Sequence, residues 1–228
     1  MTRTARMVRF PLSPTFAAIY VALALITCVL IDQSVRWPFR WNSLIWQPFP
    51  SPFNGFEMNK ALPWLLIPFV LCLPTMDWGY LGFRRWKRAD LCLLLALAGV
   101  CLLAVLLVPF IPSLKAWYPG IAEQPFDLRW RVVIFQLAWI ASWLPGWEFL
   151  HRYFLLRPFQ ERFKRFGWLV VPLSEGLFHL QKHPLEMVGM VAISLVLTFW
   201  AARRRNMMLP FLAHLIVEVE LVIVRLFY

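Results

Sequence analysis

Apolar residues fall into seven blocks along the chain, separated by more polar connections. The longer blocks cover residues 15–31, 90–111, 130–151, 187–202 and 207–226. Two shorter blocks, which contain prolines, cover residues 61–75 and 167–181. A helix needs about 20 apolar residues to cross the hydrocarbon core of a bilayer. The pattern therefore predicts an all-α fold, a polytopic transmembrane helix bundle of about seven spans that forms a single membrane domain over residues 1–228.

The overall composition agrees with this prediction. Hydrophobic residues make up 61% of the chain and the mean hydropathy is +0.63, whereas a soluble domain is about 45–50% apolar. The net charge of +11 is also typical of nucleic-acid-binding proteins. Here, however, the basic residues form short clusters between the apolar blocks, as in membrane proteins. We therefore expect the lipid bilayer, and no nucleic acid, as a partner.

The basic clusters also predict the orientation of the chain in the membrane. With the N-terminus in the cytoplasm, the cytoplasmic side holds 15 of the 23 Lys and Arg residues, as the positive-inside rule requires. These are Arg3, Arg6, Arg9, Arg84, Arg85, Lys87, Arg88, Arg152, Arg157, Arg162, Lys164, Arg165, Arg203, Arg204 and Arg205. We expect a multi-pass protein of the bacterial cytoplasmic membrane.

The connection between the first two blocks, residues 32–60, is rich in Trp, Phe and Pro. Amphipathic aromatic side chains favour the headgroup region of a bilayer. The composition predicts an interfacial aromatic loop, and a lid or substrate entry surface is the alternative.

Six ionisable residues in or directly beside the apolar blocks are spaced as three helical pairs. They are Glu148, Arg152, Glu175, His179, His214 and Glu218. The pairs are Glu148 with Arg152, Glu175 with His179, and His214 with Glu218. The two members of each pair are four residues apart, so they share a helical face. A charge at bilayer depth costs at least a few kcal/mol and marks a functional site. The helical rise places Glu148, His179 and His214 about 14, 18 and 10 Å from the cytoplasmic ends of their spans, so one polar pocket is expected.

Such a pocket is sufficient to hydrolyse an amide. A carboxylate can take a proton from water, and imidazoles can donate hydrogen bonds to an oxyanion. The alternative is a zinc site, because His and carboxylate groups are zinc ligands. The sequence has no His-Glu-x-x-His motif, so zinc would be held by His179, His214 and Glu175 from different helices. We expect no cofactor, with zinc as the alternative. Arg152 could instead extend to the headgroups at the end of its span.

These patterns resemble the CAAX prenyl protease and bacteriocin-processing family of intramembrane proteases. That family carries Glu-Glu-x-x-x-Arg, Phe-x-x-x-His and His-x-x-x-Asn/Asp, in this order. Residues 147–152 (WEFLHR) are similar to the first motif, 174–180 (SEGLFHL) to the second, and 214–218 (HLIVE) to the third. The resemblance covers residues 130–225, which we interpret as a protease-like core, with further spans and the aromatic loop in residues 1–129.

The chain departs from the family motifs at three positions. Trp147 replaces the first Glu of the first motif, the residue held to activate water in the family. Glu175 stands in place of the Phe of the second motif, and Glu218 in place of Asn or Asp in the third. Three hypotheses follow: Glu148 is the base, or Glu175 supplies the carboxylate, or the chain is an inactive relative that binds peptides.

The resemblance implies a glutamate-dependent intramembrane endopeptidase. In this interpretation Glu148 is the base and Arg152 orients it. His179 positions the water or polarises the scissile carbonyl, and His214, oriented by Glu218, holds the oxyanion. The implied substrate is a hydrophobic peptide or a membrane-anchored protein, cleaved at a C-terminal tail or as a precursor. A zinc-dependent peptidase and a non-catalytic peptide-binding protein or transporter are the alternatives.

Overall fold

The computed structural model of the protein describes residues 12–34, 58–82 and 86–228, and the side chains of 31–34 are not among them. The described residues form eight helices and no strands, so the predicted all-α fold is confirmed. The helices are α1 (Pro14–Ser34), α2 (Met58–Thr75), α3 (Arg88–Leu106), α4 (Pro112–Trp117), α5 (Phe126–Phe163), α6 (Val170–His179), α7 (Pro184–Arg204) and α8 (Met208–Val224).

Several of these helices have the length and composition of membrane spans. Within the described part of the chain, four are long and apolar enough to cross a bilayer, namely α2, α5, α7 and α3 with the turn that follows it. Large apolar side chains on their outer surfaces are exposed, for example Leu95 and Leu103 on α3. An apolar exterior is the surface that lipid requires. The prediction of a polytopic helix bundle is therefore confirmed.

Each of the seven predicted blocks contains a helix, but two differ in length from the prediction. Helix α6 has ten residues, about 15 Å of rise, which is too short to cross the core on its own. Helix α5 continues past the predicted end at residue 151 and reaches Phe163. Residues 150–155 form one wide π-helical turn and are all buried, so packing inside the bundle carries the helix beyond the apolar block.

Close approach of α2 and α5 depends on a glycine. A Cβ at Gly146 would lie 2.9 Å from Trp64 Cβ and 3.1 Å from the backbone nitrogen of Leu65. The absence of a side chain lets the backbones meet, as is common between membrane helices. Trp64 is then buried against Trp147, with ring centroids 5.4 Å apart. This contact brings the start of α2 to the polar side chains of α5.

The connections between helices gather at two opposite ends of the bundle. At one end Arg204 pairs with Asp90 at 2.6 Å, Arg205 with Asp77 at 3.5 Å, and Met207 N–H donates to the Tyr80 carbonyl. At the other end the loop after α4 pairs with the C-terminal residues, where Ile121 N–H donates to the Arg225 carbonyl. We call them the basic end and the distal end. The basic end holds connections for which the charge pattern predicts the cytoplasmic side.

Some sequence predictions lie outside the described residues. They concern Arg3, Arg6, Arg9, Arg84 and Arg85, and residues 35–57 of the aromatic connection.

Candidate active site

A cavity of about 340 Å³ lies between α2, α5, α6 and α8. Its walls carry six Trp and Phe side chains, those of Trp64, Trp117, Trp139, Trp143, Trp147 and Phe178. His179, His214 and Glu218 line it among the predicted site residues. The cavity reaches the distal end of the bundle, where Tyr118, Lys182 and Arg225 form part of its lining. It is therefore an aromatic pocket with imidazole and carboxylate groups in its wall.

Glu148 and His214 form a direct hydrogen bond between α5 and α8. Glu148 Oε1 lies 2.8 Å from His214 Nδ1. Glu148 is fully buried and does not line the cavity, whereas the side chain of His214 is 10% exposed and does. A carboxylate accepts hydrogen bonds when ionised. The pair thus places an oriented imidazole at the cavity wall, with the carboxylate behind it.

Arg152 links two buried carboxylates. Its Nη1 lies 2.8 Å from Glu148 Oε2 in an ion pair without hydrogen-bond alignment, and its two terminal nitrogens donate to the two oxygens of Glu175 at 2.8 and 3.2 Å. All three side chains are fully buried. The interpretation in which Arg152 extends to the headgroups is therefore wrong, because both anionic partners hold the guanidinium inside the bundle.

Glu175 is directed to α5 and not to the cavity. Besides its two bonds from Arg152, it has His151 Nδ1 4.0 Å from its Oε1. His151 in turn contacts the Trp147 carbonyl at 3.0 Å and Ser174 Oγ at 3.2 Å. These contacts pair the buried Glu175 carboxylate and the His151 ring between α5 and α6, as buried polar groups require.

His179 lies at the last turn of α6 and faces the cavity. Its Nδ1 is 2.8 Å from the backbone carbonyl of Glu175. Because a carbonyl oxygen only accepts, Nδ1 carries the proton in this contact and Nε2 of the neutral ring is an acceptor. The ring packs edge-on against Trp147, with centroids 5.7 Å apart.

Glu218 lies one turn after His214 on α8. Its Oε1 is 3.8 Å from His214 Nε2, and the carboxylate side chain lines the cavity. His214 is therefore positioned between two carboxylates, with Glu148 at Nδ1 and Glu218 near Nε2.

Trp147 occupies the cavity wall at the position where the similar family has its first Glu. The indole lines the cavity and contacts Trp64, Phe178 and His179 with centroid distances of 5.4, 5.0 and 5.7 Å. The substitution replaces a carboxylate at the cavity by an apolar surface. Among the residues that the structure describes, the carboxylates that line it are those of Glu186 and Glu218.

The predicted residues thus form one continuous network with two layers. His179, His214 and Glu218 face the cavity, and Glu148, Arg152 and Glu175 lie behind it. Within the described ranges, no three His, Cys, Asp or Glu side chains are grouped so that they could hold a metal ion. The carboxylate of Glu175, one of the ligands in the zinc alternative, instead binds Arg152.

Several polar residues of the cavity wall, among them Lys60, Tyr118 and Glu186, were not identified from the sequence as site residues. Lys60 is buried in the wall at the start of α2, and Tyr118 donates a hydrogen bond of 2.5 Å to Glu186 at the distal end. Burial, together with the neighbouring carboxylate, raises the pKa of Tyr118, so its hydroxyl keeps the proton that it donates. A charged residue near the beginning of an apolar block was the available signal for Lys60.

Comparison with known protein families identifies this part of the chain. Residues 128–219 match the family model described as Type II CAAX prenyl endopeptidase Rce1-like. Over these residues the chain is similar to that family. The resemblance predicted from the three motifs is therefore confirmed, and the family is one of CAAX-type membrane proteases. The comparisons with curated proteins and with solved structures found no match.

The Rce1-like segment begins in α5 and ends in α8. All six site residues predicted from the sequence lie within it, whereas Lys60 and Tyr118 lie before it. The cavity is therefore built partly from the family segment and partly from the earlier helices.

Proposed function

We propose that this chain is an intramembrane endopeptidase that hydrolyses a hydrophobic or membrane-anchored peptide in the aromatic cavity, without a metal ion. The observation that carries the proposal is the 2.8 Å contact between Glu148 and His214, within the Rce1-like segment. A nucleophile or base must lie within hydrogen-bond reach of the reacting group. His214 satisfies this condition because its ring faces the cavity.

In this proposal His214 is the group that takes the proton from water. With Glu148 ionised, Nδ1–H donates to the carboxylate and Nε2 has a free lone pair. Glu148 keeps the ring in this tautomer and stabilises the imidazolium, the role of the acid in a catalytic triad. Arg152, whose Nη1 lies 2.8 Å from Glu148 Oε2, holds this carboxylate in place. Glu148 thus acts through His214, whereas the sequence interpretation has it take the proton directly.

His179 complements His214 at the same wall. Its Nε2 accepts a hydrogen bond, so two imidazoles can hold the two hydrogens of one water and leave the oxygen lone pair for the scissile carbonyl. The water oxygen bonds to the carbonyl carbon as its proton moves to His214. The imidazolium then gives this proton to the leaving amine as the carbon–nitrogen bond breaks. Glu218, near Nε2, stabilises the imidazolium.

The lining of the cavity suits a hydrophobic peptide. Six Trp and Phe side chains offer apolar area for side chains of the substrate. We place the basic end in the cytoplasm of a bacterial cell, because Lys and Arg are enriched on the cytoplasmic side of membranes. The cavity then reaches the opposite side of the membrane.

The experiment that tests the proposal compares purified wild-type protein with Glu148→Gln in lipid nanodiscs. Cleavage of a lipidated apolar peptide is followed by mass spectrometry. We expect Glu148→Gln to lower kcat by about 10²–10⁴-fold, the range for a positioned acid–base group, while Glu123→Gln, an exposed loop substitution, retains the wild-type rate. A chelator should have no effect. Loss of activity with chelator and recovery with zinc would instead support the metal-dependent peptidase.

The second candidate function is peptide binding without hydrolysis. The specific observation in its favour is Trp147, an apolar residue at the cavity position where the family has a Glu. Wild-type protein that binds the lipidated peptide but releases no fragment over several days would favour this candidate.

A further inference from the structure

A groove on the outer surface of the bundle lies between α3, the turn before α6 and the second half of α7. Its volume is about 460 Å³. Leu93 of α3, Trp168 of the turn and Phe199 of α7 form part of its wall. The lining also includes Arg203 and Arg204 from the last turn of α7, at the basic end. The proposed hydrolysis takes place in the aromatic cavity and gives no role to this groove.

Apart from the two arginines, the groove has the surface and the length that suit a lipid chain. Leu195, Val196 and Phe199 line it and are 38, 42 and 47% exposed. Eight residues separate Leu195 from Arg203, which is about 12 Å of helix rise. The hydrocarbon of one leaflet is about 15 Å thick, half of a bilayer core of about 30 Å. Trp168 packs edge-on against Phe199, with centroids 5.6 Å apart, and tryptophan favours the headgroup region.

Arg203 is the cation of the groove that is open to a ligand. Arg204 pairs with Asp90 at 2.6 Å, and Trp200 Nε1 donates a hydrogen bond to the same carboxylate at 2.8 Å. Arg203 is exposed and has no ion-pair partner among the residues that the structure describes. One positive charge at the end of the groove is therefore not offset by a carboxylate. A planar guanidinium can donate two parallel hydrogen bonds to a phosphate group.

Two other apolar grooves on the outer surface lack such a cation. One lies between α1 and α6 and the other between α6 and α7. Among the described residues, neither groove has Lys or Arg in its lining. Lipid chains can lie in all three grooves. Of these three, the groove between α3 and α7 is the one that joins an apolar channel to an unpaired cation at its end.

We propose that this groove binds an anionic phospholipid of the leaflet at the basic end. The phosphate group binds Arg203, one acyl chain lies along Val196 and Phe199, and Trp168 lies at the level of the ester groups. Charge and depth support this occupant together, because basic groups between membrane helices on the cytoplasmic side attract anionic headgroups. The lipid contacts α3, α7 and the turn that leads into α6, and thus joins three elements of the bundle.

Other occupants fit one part of the groove but not both. A free phosphate ester in solution has a charge for Arg203 and no chain for the apolar surface. A zwitterionic phospholipid has the chains, but its cationic group lies beside the phosphate and opposes the guanidinium. An anionic phospholipid matches the apolar surface and the charge at once.

The test measures lipid binding to the purified, delipidated full chain in detergent by native mass spectrometry. Dioleoyl phosphatidylglycerol and dioleoyl phosphatidylcholine are compared, because they have the same acyl chains and differ in headgroup charge. Glycerol 3-phosphate is the soluble phosphate probe. Arg203→Gln has Arg162→Gln as its matched control, since Arg162 is exposed at the same end and does not line the groove. Val196→Trp, which fills the groove, has Val188→Trp as its control, an exposed position on the same helix outside the groove.

We expect wild type to bind the first phosphatidylglycerol about fivefold or more tightly than phosphatidylcholine, as for one cation at an anionic lipid surface. This ratio should fall to about one in Arg203→Gln and stay unchanged in Arg162→Gln. Val196→Trp should weaken the binding of both lipids, whereas Val188→Trp should not. All four substitutions change exposed or lipid-facing side chains, and circular dichroism verifies that each variant keeps its helices.

Several outcomes overturn the inference. They are equal affinity of wild type for the two lipids, a preference that survives in Arg203→Gln, and an equal loss of preference in Arg162→Gln. Unchanged lipid affinity in Val196→Trp shows that the acyl chain does not lie in the groove. Binding of glycerol 3-phosphate as tightly as phosphatidylglycerol shows a free phosphate site and overturns the lipid assignment. These measurements involve no peptide, so their result is independent of the proposed hydrolysis.

Discussion

Arg152 donates two hydrogen bonds to Glu175, at 2.8 and 3.2 Å, across 23 residues of sequence. Both side chains are fully buried. A planar guanidinium that faces both oxygens of a carboxylate fixes distance and orientation together. The pair therefore joins α5 to the short helix α6 and sets the position of His179, one turn after Glu175.

This contact predicts a structural role for Glu175. Replacement by Gln leaves one side of the buried guanidinium without an anionic partner, and breaking a buried pair costs about 3–5 kcal/mol. We expect Glu175→Gln to lower the melting temperature of the purified protein strongly, measured by intrinsic fluorescence in detergent. A variant with wild-type melting behaviour but no activity would instead identify Glu175 as the catalytic base.

The approach of α2 to α5 at Gly146 gives a second prediction. A Cβ at this position would lie 2.9 Å from Trp64 Cβ and 3.1 Å from backbone, so we expect Gly146→Ala to destabilise the protein by about 1–3 kcal/mol, as overpacking does. Gly99→Ala is the control, because a Cβ there meets nothing within 4 Å. It should be neutral or stabilising, since Ala has the higher helix propensity. Thermal unfolding of both variants tests this prediction. Equal changes in stability for Gly146→Ala and Gly99→Ala would show that the close contact is not formed.

The helix bundle could be predicted from the sequence because membrane spans must be apolar and cytoplasmic connections are enriched in Lys and Arg. The sequence also predicted which residues meet, since Glu148, Arg152, Glu175, His214 and Glu218 are in one network. Helical spacing puts charges on a face, and buried charges require partners. Helical spacing is a local property, and the need for a partner depends only on the depth of a charge in the membrane. Both can therefore be derived from the sequence.

The direction of each side chain could not be predicted in the same way. Spacing alone did not show that Glu175 faces Arg152 while His179 faces the cavity, because both belong to one polar stripe on α6. Lys60 was missed since its position depends on how α2 packs on α5 at Gly146, a contact between residues about 80 positions apart. These features depend on tertiary packing, which cannot be derived from a single sequence.

The charge distribution predicts the orientation of the cavity. Glu123 lies in the loop at the distal end, and Lys164 follows α5 at the basic end. In a Cys92→Ser background, which removes an exposed thiol, we expect Glu123→Cys to react with a membrane-impermeant maleimide in intact cells. Lys164→Cys should react only after permeabilisation. The reverse labelling pattern would place the basic end outside and contradict the positive-inside assignment.

In the proposed mechanism Glu148 acts through His214, and the two residues form one unit. The most direct test is a double-mutant cycle on kcat for a lipidated peptide, with wild type, Glu148→Gln, His214→Gln and the double variant. Residues that act as a unit are strongly non-additive. We expect each single variant to lose about 10²–10⁴-fold in kcat and the double variant to be about as slow as the slower single one. Losses that multiply in the double variant would contradict it, because the two residues would then act independently.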